Sequence, residues 1–424
     1  MKLKGKLGIF SIFFSVLITI MFWSFEQPVK DLAFIGQVSQ LLGTLALLGF
    51  AWNNFISTRQ PILDKLFDGL DQSYIYHKYL SIISLALAMV HAMTIGMSKA
   101  QNLAPGTRPV KSIFIVLGSP SMTLFIILVI VAFMAKKIDY EKWKSIHKLV
   151  LIPYVIALFH YYGSSSYVVF GVTPFSLWIN IVNAIGVISA VYSLFIYEKS
   201  SFKYRYKVVN TQFVAKGMLQ ISGKPIGENL NYKAGQFAFL KFVDAKLKFP
   251  SHPFTISEAP HKDEIQFTIK SLGDHTGSLL KNLKVGDEFA VENAHGQFNY
   301  LTGTPHQIWI AGGIGITPLR SFYQTQIPKE FSIDFFYAYN NDQEGAYVEE
   351  INSLPKRDNF RVHLYDSSKI GFLTAAEVAK HMSKDVSVDV YFCGPKPMRE
   401  SLRKGFETGN LKVNALYFEE FQFR

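Results

Sequence analysis

Residues 75–97 read IYHKYLSIISLALAMVHAMTIGM, an apolar run with His77 near its start and His91 near its end. A helix needs about 20 residues to cross a hydrocarbon core, and this run is long enough. Outward from it, uncharged runs cover Leu7–Phe25, Leu32–Thr58, Tyr79–Ser98 and Ser112–Ala135. The uncharged stretch Leu149–Tyr197 is too long for one helix, and a polar Tyr-Tyr-Gly-Ser-Ser-Ser segment at 161–166, with Pro174 beyond it, divides it in two. Six spans are expected, near 7–25, 33–56, 75–97, 112–135, 147–162 and 174–197. Met1–Lys6 could open a signal peptide, but the apolar run after it is too long and no small-residue cleavage site follows, so it is read as the first span.

The composition fits a chain that is part membrane, part soluble. Of 424 residues, 49% are apolar and only 18% charged, against about 25% in a typical soluble domain. That excludes a disordered, fibrous or ordinary soluble protein. The single cysteine, Cys393, excludes an internal disulfide framework and Cys-ligated zinc or iron–sulfur clusters. The net charge of +11 reports topology. One side of the membrane receives Lys2, Lys4, Lys6, Arg59, Lys65, Lys78, Lys136, Lys137, Lys142, Lys144 and Lys148, the other Lys30, Lys99, Arg108 and Lys111. The excess places both termini in the cytoplasm of a multi-pass cell-membrane protein. No basic run with interleaved aromatics is present, so no nucleic-acid partner is expected; the lipid bilayer is.

Four histidines lie in the first 198 residues: His77, His91, His147 and His160. An ionisable side chain in a membrane helix is costly and points to function. His77 and His91 are 14 residues apart, about 21 Å, and share a helix face to within about 40°. His147 and His160 are 13 apart, and on an ideal helix their directions differ by about 140°. Pro153 between them can kink or re-register that helix. Spans three and five run the same way, so His77 matches His147 in depth and His91 matches His160. Two pairs of facing imidazoles suit two six-coordinate haems stacked across the bilayer. The plainer alternative is interfacial or helix-bonded histidines. Zinc fits less well, because ligands some 20 Å apart cannot share one ion.

After Glu198 charge density rises and apolar runs shorten to strand length. Residues 204–300 read as short alternating strands, for example Gln236–Phe242 and Glu264–Lys270, which predicts an antiparallel β-barrel. Residues 307–424 alternate strand and helix (Gln307–Ala311, a helix from Pro318, Ile333–Tyr339, Phe360–Tyr365, Val388–Phe392), the pattern of a doubly wound parallel sheet. The fold class is thus an α-helical membrane bundle followed by a β-barrel and an α/β Rossmann-like domain. The boundaries are 1–199, 200–303 and 304–424.

Chemistry-bearing residues fall at the expected turns. His252, Pro253, Phe254, Thr255 and Ser257 follow the strand holding Gly235-Gln236-Phe237; Lys270 and Gly273-Asp274-His275-Thr276 come next. Together they offer an aromatic platform, hydroxyls for a flavin edge, and a cation with glycine-loop amides for a pyrophosphate. Strand Gln307–Ala311 runs into Gly312, Gly313, Gly315, Thr317 and Pro318, where backbone amides at a helix N-terminus can hold a dinucleotide pyrophosphate. Cys393, Gly394 and Pro395 end the strand Val388–Phe392; the thiol is either a neighbour of a nicotinamide or a buried structural cysteine.

On these motifs the chain resembles a bacterial NADPH oxidase of the ferric reductase-like flavocytochrome b superfamily, with a ferredoxin–NADP reductase-like C-terminal half, and the resemblance covers essentially the whole chain. It implies FAD, two haem b groups (inner pair His77/His147, outer pair His91/His160) and NADPH or NADH as donor. The family's 14- and 13-residue histidine steps match. The resemblance also implies that a C-terminal aromatic, Phe423 with Phe421 in reserve, stacks on the flavin as a catalytic group beside Cys393, with Arg424 extending past it. Electrons would pass singly from FAD to the inner and then the outer haem, and on to external O2. With both axial positions filled, O2 would be reduced at the haem edge to superoxide.

Asn340-Asn341-Asp342 stands where NADPH-preferring relatives tend to offer an arginine, so NADH is expected to serve comparably. A ferric-chelate reductase with the same electron path is the nearest rival, though the outer loops show no chelate-binding cluster; Lys99, Arg108 and Lys111 suit either acceptor's anions. A transporter or sensor with a fused nucleotide-binding domain is more remote, since repeats and broken helices are not visible. No calcium-binding loop or Pro-rich docking segment is present, and no obligate protein activator is expected.

Overall fold

The computed structural model describes residues 5–26, 34–102, 113–138, 140–164, 171–243, 247, 250–260, 263–382, 386–409 and 411–419. The chain divides into two compact units, Lys199 closing one and Ser200 opening the other.

Among the described residues of the first unit, six helices are long and apolar enough to cross a membrane: Lys6–Glu26, Phe34–Ile56, Leu70–Ile95, Ile113–Phe133, Lys142–Ser164 and Pro174–Ser200. The third begins five residues before the expected start and runs on unbroken to Asn102. Its start is set by a short helix, Pro61–Phe67, which Asp68 ends in the left-handed conformation at φ 57°. Side chains are distributed inside out relative to a soluble protein. Ser15, Thr19, Ser39 and Thr44 are buried, while Phe10, Phe13, Phe14 and Ile188 face outward. With lipid as apolar as leucine, such bundles hold together by close packing and interhelical hydrogen bonds. Trp52 Nε1 donates to Ser15 Oγ at 2.9 Å and Trp178 Nε1 to Thr19 Oγ1 at 2.8 Å. A Cβ on Gly49 would overlap the Ser84 hydroxyl, so that glycine lets spans two and three meet.

The fifth span answers the angular problem posed by its two histidines. Helix Tyr140–His147 tightens into a 3-10 turn, Lys148–Val150, before helix Leu151–Ser164 resumes. Pro153 has no N–H to offer the carbonyl four residues back, which relieves the chain of α-helical pairing there. Three residues turning about 120° each instead of about 100° cut the mismatch between His147 and His160 from about 140° to about 80°.

The second unit opens with six antiparallel strands, β1 Tyr204–Ala215, β2 Met218–Pro225, β3 Phe237–Phe242, β4 His252–Thr255, β5 Ile265–Lys270 and β6 Glu288–His295. Their order is β4-β3-β6-β1-β2-β5. An Ile256–Phe267 bridge joins the two outer strands and curls the sheet into a barrel around Tyr206, Ile221, Phe267 and Phe289. Five parallel strands follow, β7 His306–Gly312, β8 Ser332–Tyr339, β9 Phe360–Asp366, β10 Val388–Cys393 and β11 Val413–Phe418, in the order β11-β10-β7-β8-β9. Trp309 faces one apolar layer with Leu319 and Phe322; Ile308 and Ile310 face the other with Leu402 and Phe406. Burial on both faces explains why β7 reads as a continuous apolar run. Strand order reverses between β7 and β10, the position at which doubly wound sheets bind ligands beyond their carboxyl ends.

Arg320 fastens the barrel to the parallel sheet. It is bidentate to Glu350 at 2.8 to 3.0 Å, donates to the Ser257 carbonyl at 2.8 Å and to Gln266 Oε1 at 2.9 Å, and lies 4.3 Å over the Tyr347 ring. Tyr347 takes a left-handed backbone, φ 61°, and its hydroxyl meets Thr268 at 2.5 Å and Gln220 at 2.9 Å. Arg320 is buried while Glu350 is 31% exposed, so losing the guanidinium strands the buried Ser257 carbonyl and leaves Glu350 partly solvated, at a typical cost of about 2 kcal/mol. Arg320→Ala is therefore expected to lower the unfolding free energy of this unit by about that amount, read by denaturant titration of intrinsic fluorescence; a change below ~0.5 kcal/mol would refute the role of Arg320 as the fastener.

Candidate functional site

The structure brings His77 to His147 and His91 to His160, with ring centroids 6.3 and 6.2 Å apart and ring planes at 65° and 66°. A metal–imidazole bond of about 2 Å on each side, plus the ring radius, puts two imidazoles that share one metal about 6 Å apart. Each pair therefore fits a single iron held between the rings. The outer pair is oriented from behind. His160 Nδ1 donates to the Phe114 carbonyl at 2.9 Å and His91 Nδ1 to the Ser39 carbonyl at 2.7 Å. A proton committed to Nδ1 leaves Nε2 as the metal-binding lone pair. Gly43 and Gly118 face these rings; a Cβ on either would press into the imidazole, at 3.1 and 2.8 Å. In the inner pair the Nδ1 atoms of His77 and His147 are buried without a hydrogen-bond partner among the described residues. Ser39, Gly43, Phe114 and Gly118 escaped the sequence reading, because contacts across 42 to 52 residues of chain leave no local pattern.

In the barrel, β4 and the turn ahead of helix Asp274–Asn282 come together. The His252 and His275 rings lie 3.9 Å apart, and Phe254 is 6.4 Å from His275. Thr276 Oγ1 accepts the amides of Leu272 and Gly273 and so caps the helix, whose first turn presents an N-terminus fit for an anion. The Thr255 hydroxyl is buried and has no hydrogen-bond partner among the described residues. Pro253 lies between these in β4. Lys270 ends β5 with its ammonium 3.8 Å from Glu344. Ser257 is set apart from this group: it is fully buried, its hydroxyl accepts from Thr268 at 3.0 Å, and its carbonyl is taken by Arg320. Ser257 thus belongs to the docking network, which had no sequence signature.

At the switch point, β7 ends in Gly312 and a 3-10 turn, Gly313–Gly315, that opens helix Ile316–Tyr323 with Thr317 and Pro318 in its first turn. Opposite stand Cys393, Gly394 and Pro395. A Cβ on Gly312 would lie 2.8 Å from Pro395, and one on Gly315 would overlap the Cys393 carbonyl. The glycines are there because two strand ends meet backbone to backbone, which also leaves the amides open to a ligand. Cys393 is fully buried, and burial, followed by the nearby Glu419 carboxylate, pushes its thiol well above the usual range. It is a neutral thiol at physiological pH, not a nucleophile. Beyond β8, Asp342 binds Lys369 at 2.6 and 2.7 Å, and Lys369 also meets Asp366 at 3.1 Å. Phe423, Phe421 and Arg424 lie outside the described residues, as do the outer loops 27–31 and 103–111.

Three stretches match known families: residues 42–159 the ferric reductase like transmembrane component, 203–306 an FAD-binding domain, and 309–404 an oxidoreductase NAD-binding domain. With a likeness to a dual oxidase, the combination is consistent with flavocytochromes of the NADPH-oxidase type. Among curated proteins, the chain is 22% identical to dual oxidase 2 of Rattus norvegicus over 81% of this chain and 26% of that protein. It is 24% identical to the carnitine monooxygenase reductase subunit of Escherichia coli over 48% of this chain and 62% of that one. The chain thus spans less than two thirds of either relative. A solved FAD/NAD-binding domain of a Vibrio cholerae nitric oxide dioxygenase aligns with 51% of this chain and 99% of its own at 20% identity and a TM-score of 0.44.

His275 also gives the second unit a pH response. Burial, and then the adjacent His252, pulls its pKa from 6.5 down to about 3. Between those values the unfolded chain takes up a proton that the folded chain refuses, so stability is lost as pH falls through that window. The melting temperature is expected to drop on acidification below pH 6.5, and His275→Phe to flatten the drop. An identical acid profile in the variant would show that His275 is not its source.

Proposed function

We propose that this chain is a transmembrane NAD(P)H oxidase, which passes electrons from cytoplasmic NADH or NADPH through FAD and two stacked haem b groups to O2 outside, and releases superoxide. Residues 1–199 would form the bis-haem domain, 200–303 the FAD domain and 304–424 the nicotinamide domain. What carries the reading is the pair of facing imidazole pairs, 6.3 and 6.2 Å between centroids, on membrane-spanning helices of a chain whose other half is of FAD- and NAD-binding type. When bound, FAD accepts the two-electron hydride and each haem carries one electron at a time.

The chain's own residues have separable tasks. His77 with His147, and His91 with His160, would hold one haem iron each, and an imidazole on either side of the iron would leave O2 to be reduced without coordinating it. Ser39 and Phe114 carbonyls hold the outer imidazoles in the ligating tautomer. His252, Pro253, Phe254 and Thr255 bind the flavin edge, while Lys270 and the Gly273–Thr276 turn, with Asp274 and His275, bind its pyrophosphate. Gly312, Gly313, Gly315, Thr317 and Pro318 seat the dinucleotide. Cys393, Gly394 and Pro395 flank the nicotinamide. Phe423, outside the described residues, would stack on the flavin ring. Ser257 acts at one remove, through the docking network. Among the described residues near the end of β8, Lys369 is already held by Asp342 and Asp366 rather than reserved for a 2′-phosphate.

Detergent-purified protein should show two b-type haems per chain, reduced by NADH and FAD without air and reoxidised on admitting air, with cytochrome c reduction that superoxide dismutase suppresses. His91→Leu and His77→Leu should each leave one haem. Haem that stays reduced in air but is discharged by ferric chelates would make the chain a ferric-chelate reductase, and protein that takes up no haem would end the redox reading. On the donor, kcat/KM with NADH should match that with NADPH to within about tenfold; a deficit above about 100-fold, ~2.7 kcal/mol, would overturn the assignment of the β8 end.

A further inference from the structure

Glu292 and His295 at the end of β6 are an ionisable pair that none of the roles above uses. His295 Nε2 stands 3.2 Å from Glu292 Oε1, and both side chains are about 1% exposed. Burying such a pair is costly, and a plain apolar contact would close the barrel end as well. Its position explains the expense. In the barrel ladder Thr255 pairs with Phe237, and Phe237 pairs with His295. Directly paired residues project to the same face. Thr255, whose buried hydroxyl has no partner among the described residues, and His295 therefore lie on one face, two strands apart, about 10 Å. Phe237 and Phe239 flank the imidazole at 5.9 and 6.2 Å. From the other sheet comes Glu419, just beyond β11 and only 6% exposed. It lies beside Gly296, 3.5 Å from where a Cβ would stand, and close enough to Cys393 to disfavour its thiolate. Among the described residues, Glu419 reaches the turn after His295, and the Cys393 thiol lies near Glu419 in turn. One buried acid–base cluster bridges the flavin-side face of the barrel and the switch point.

The proposed function creates a proton that needs such a place. A hydride is one proton and two electrons. The donor delivers all three, the haem path takes only the electrons, and one proton is left per hydride. We propose that the Glu292–His295 pair takes up this proton, as imidazolium facing carboxylate, and passes it to solvent between turnovers. Imidazole suits the task because it can both take and give a proton, and Glu292 Oε1 faces its Nε2 at 3.2 Å. The inference rests on the reading of the chain as a hydride-to-single-electron converter.

The test uses the full-length holoenzyme, anaerobic and weakly buffered, mixed with NADH in a stopped-flow instrument that records flavin bleaching, haem reduction and a pH indicator. Glu292→Gln and His295→Phe, the latter an aromatic among aromatics, are the variants, and their melting temperatures report folding. The expected result is unchanged flavin bleaching with proton appearance and haem reduction slowed about tenfold, ~1.4 kcal/mol in the barrier. The solvent deuterium isotope effect on proton appearance should rise with them. Proton release at the wild-type rate in either folded variant would overturn the role of the pair alone. A wild-type chain whose flavin NADH does not bleach would overturn the hydride reading, and the role with it.

Discussion

An imidazole inside a hydrocarbon-clad bundle has no water to satisfy it, and the arrangement of the membrane unit follows from that constraint. The four histidines are drawn into two pairs between spans three and five, 6.3 and 6.2 Å between rings. Span three supplies its two histidines from one unbroken helix, Leu70–Asn102. Span five needs the 3-10 turn Lys148–Val150 to swing its second histidine toward the same partner helix. Around them, Gly43 and Gly118 clear room for the rings. The Ser39 and Phe114 carbonyls fix which nitrogen carries the proton.

The soluble unit obeys a different constraint, close approach of backbone to backbone. Gly312 and Gly315 meet the Cys393–Pro395 segment where no side chain fits. The same absence of side chains exposes amides at the helix N-terminus beside it. Holding the barrel's hydroxyls and aromatics against that point is the task of Arg320, which ties Ser257 and Gln266 of the barrel to Glu350 and Tyr347 of the parallel-sheet domain. Ser257 thus fixes where the chain leaving β4 stands.

Sequence sufficed for the six spans, the barrel, the doubly wound sheet and the four histidines, because each rests on a periodicity or a local residue type. Elements depart from expectation at their ends, where capping intervenes: span three starts at Leu70 because Asp68 and Gly69 turn the chain before it. For the same reason β7 runs to Gly312 and its helix starts at Ile316, before Pro318. The linear reading left the repair at Pro153 open, and the fold places a 3-10 turn just ahead of it; Cys393 is buried, with a neutral thiol.

The amino-acid order by itself determined which segments are apolar enough to enter lipid, where glycines permit a tight strand-to-helix turn, and at what spacing histidines recur, since these are properties of residues within a helix or strand length of one another. Only the tertiary structure decided that Ser39 and Phe114 orient the outer histidines, that Arg320 fastens the barrel to the parallel sheet, and that Glu292, His295, Glu419 and Cys393 gather at one buried junction. Such contacts join residues tens to more than a hundred positions apart. Hydrogen bonding and burial between them depend on how whole elements pack, which no local pattern encodes.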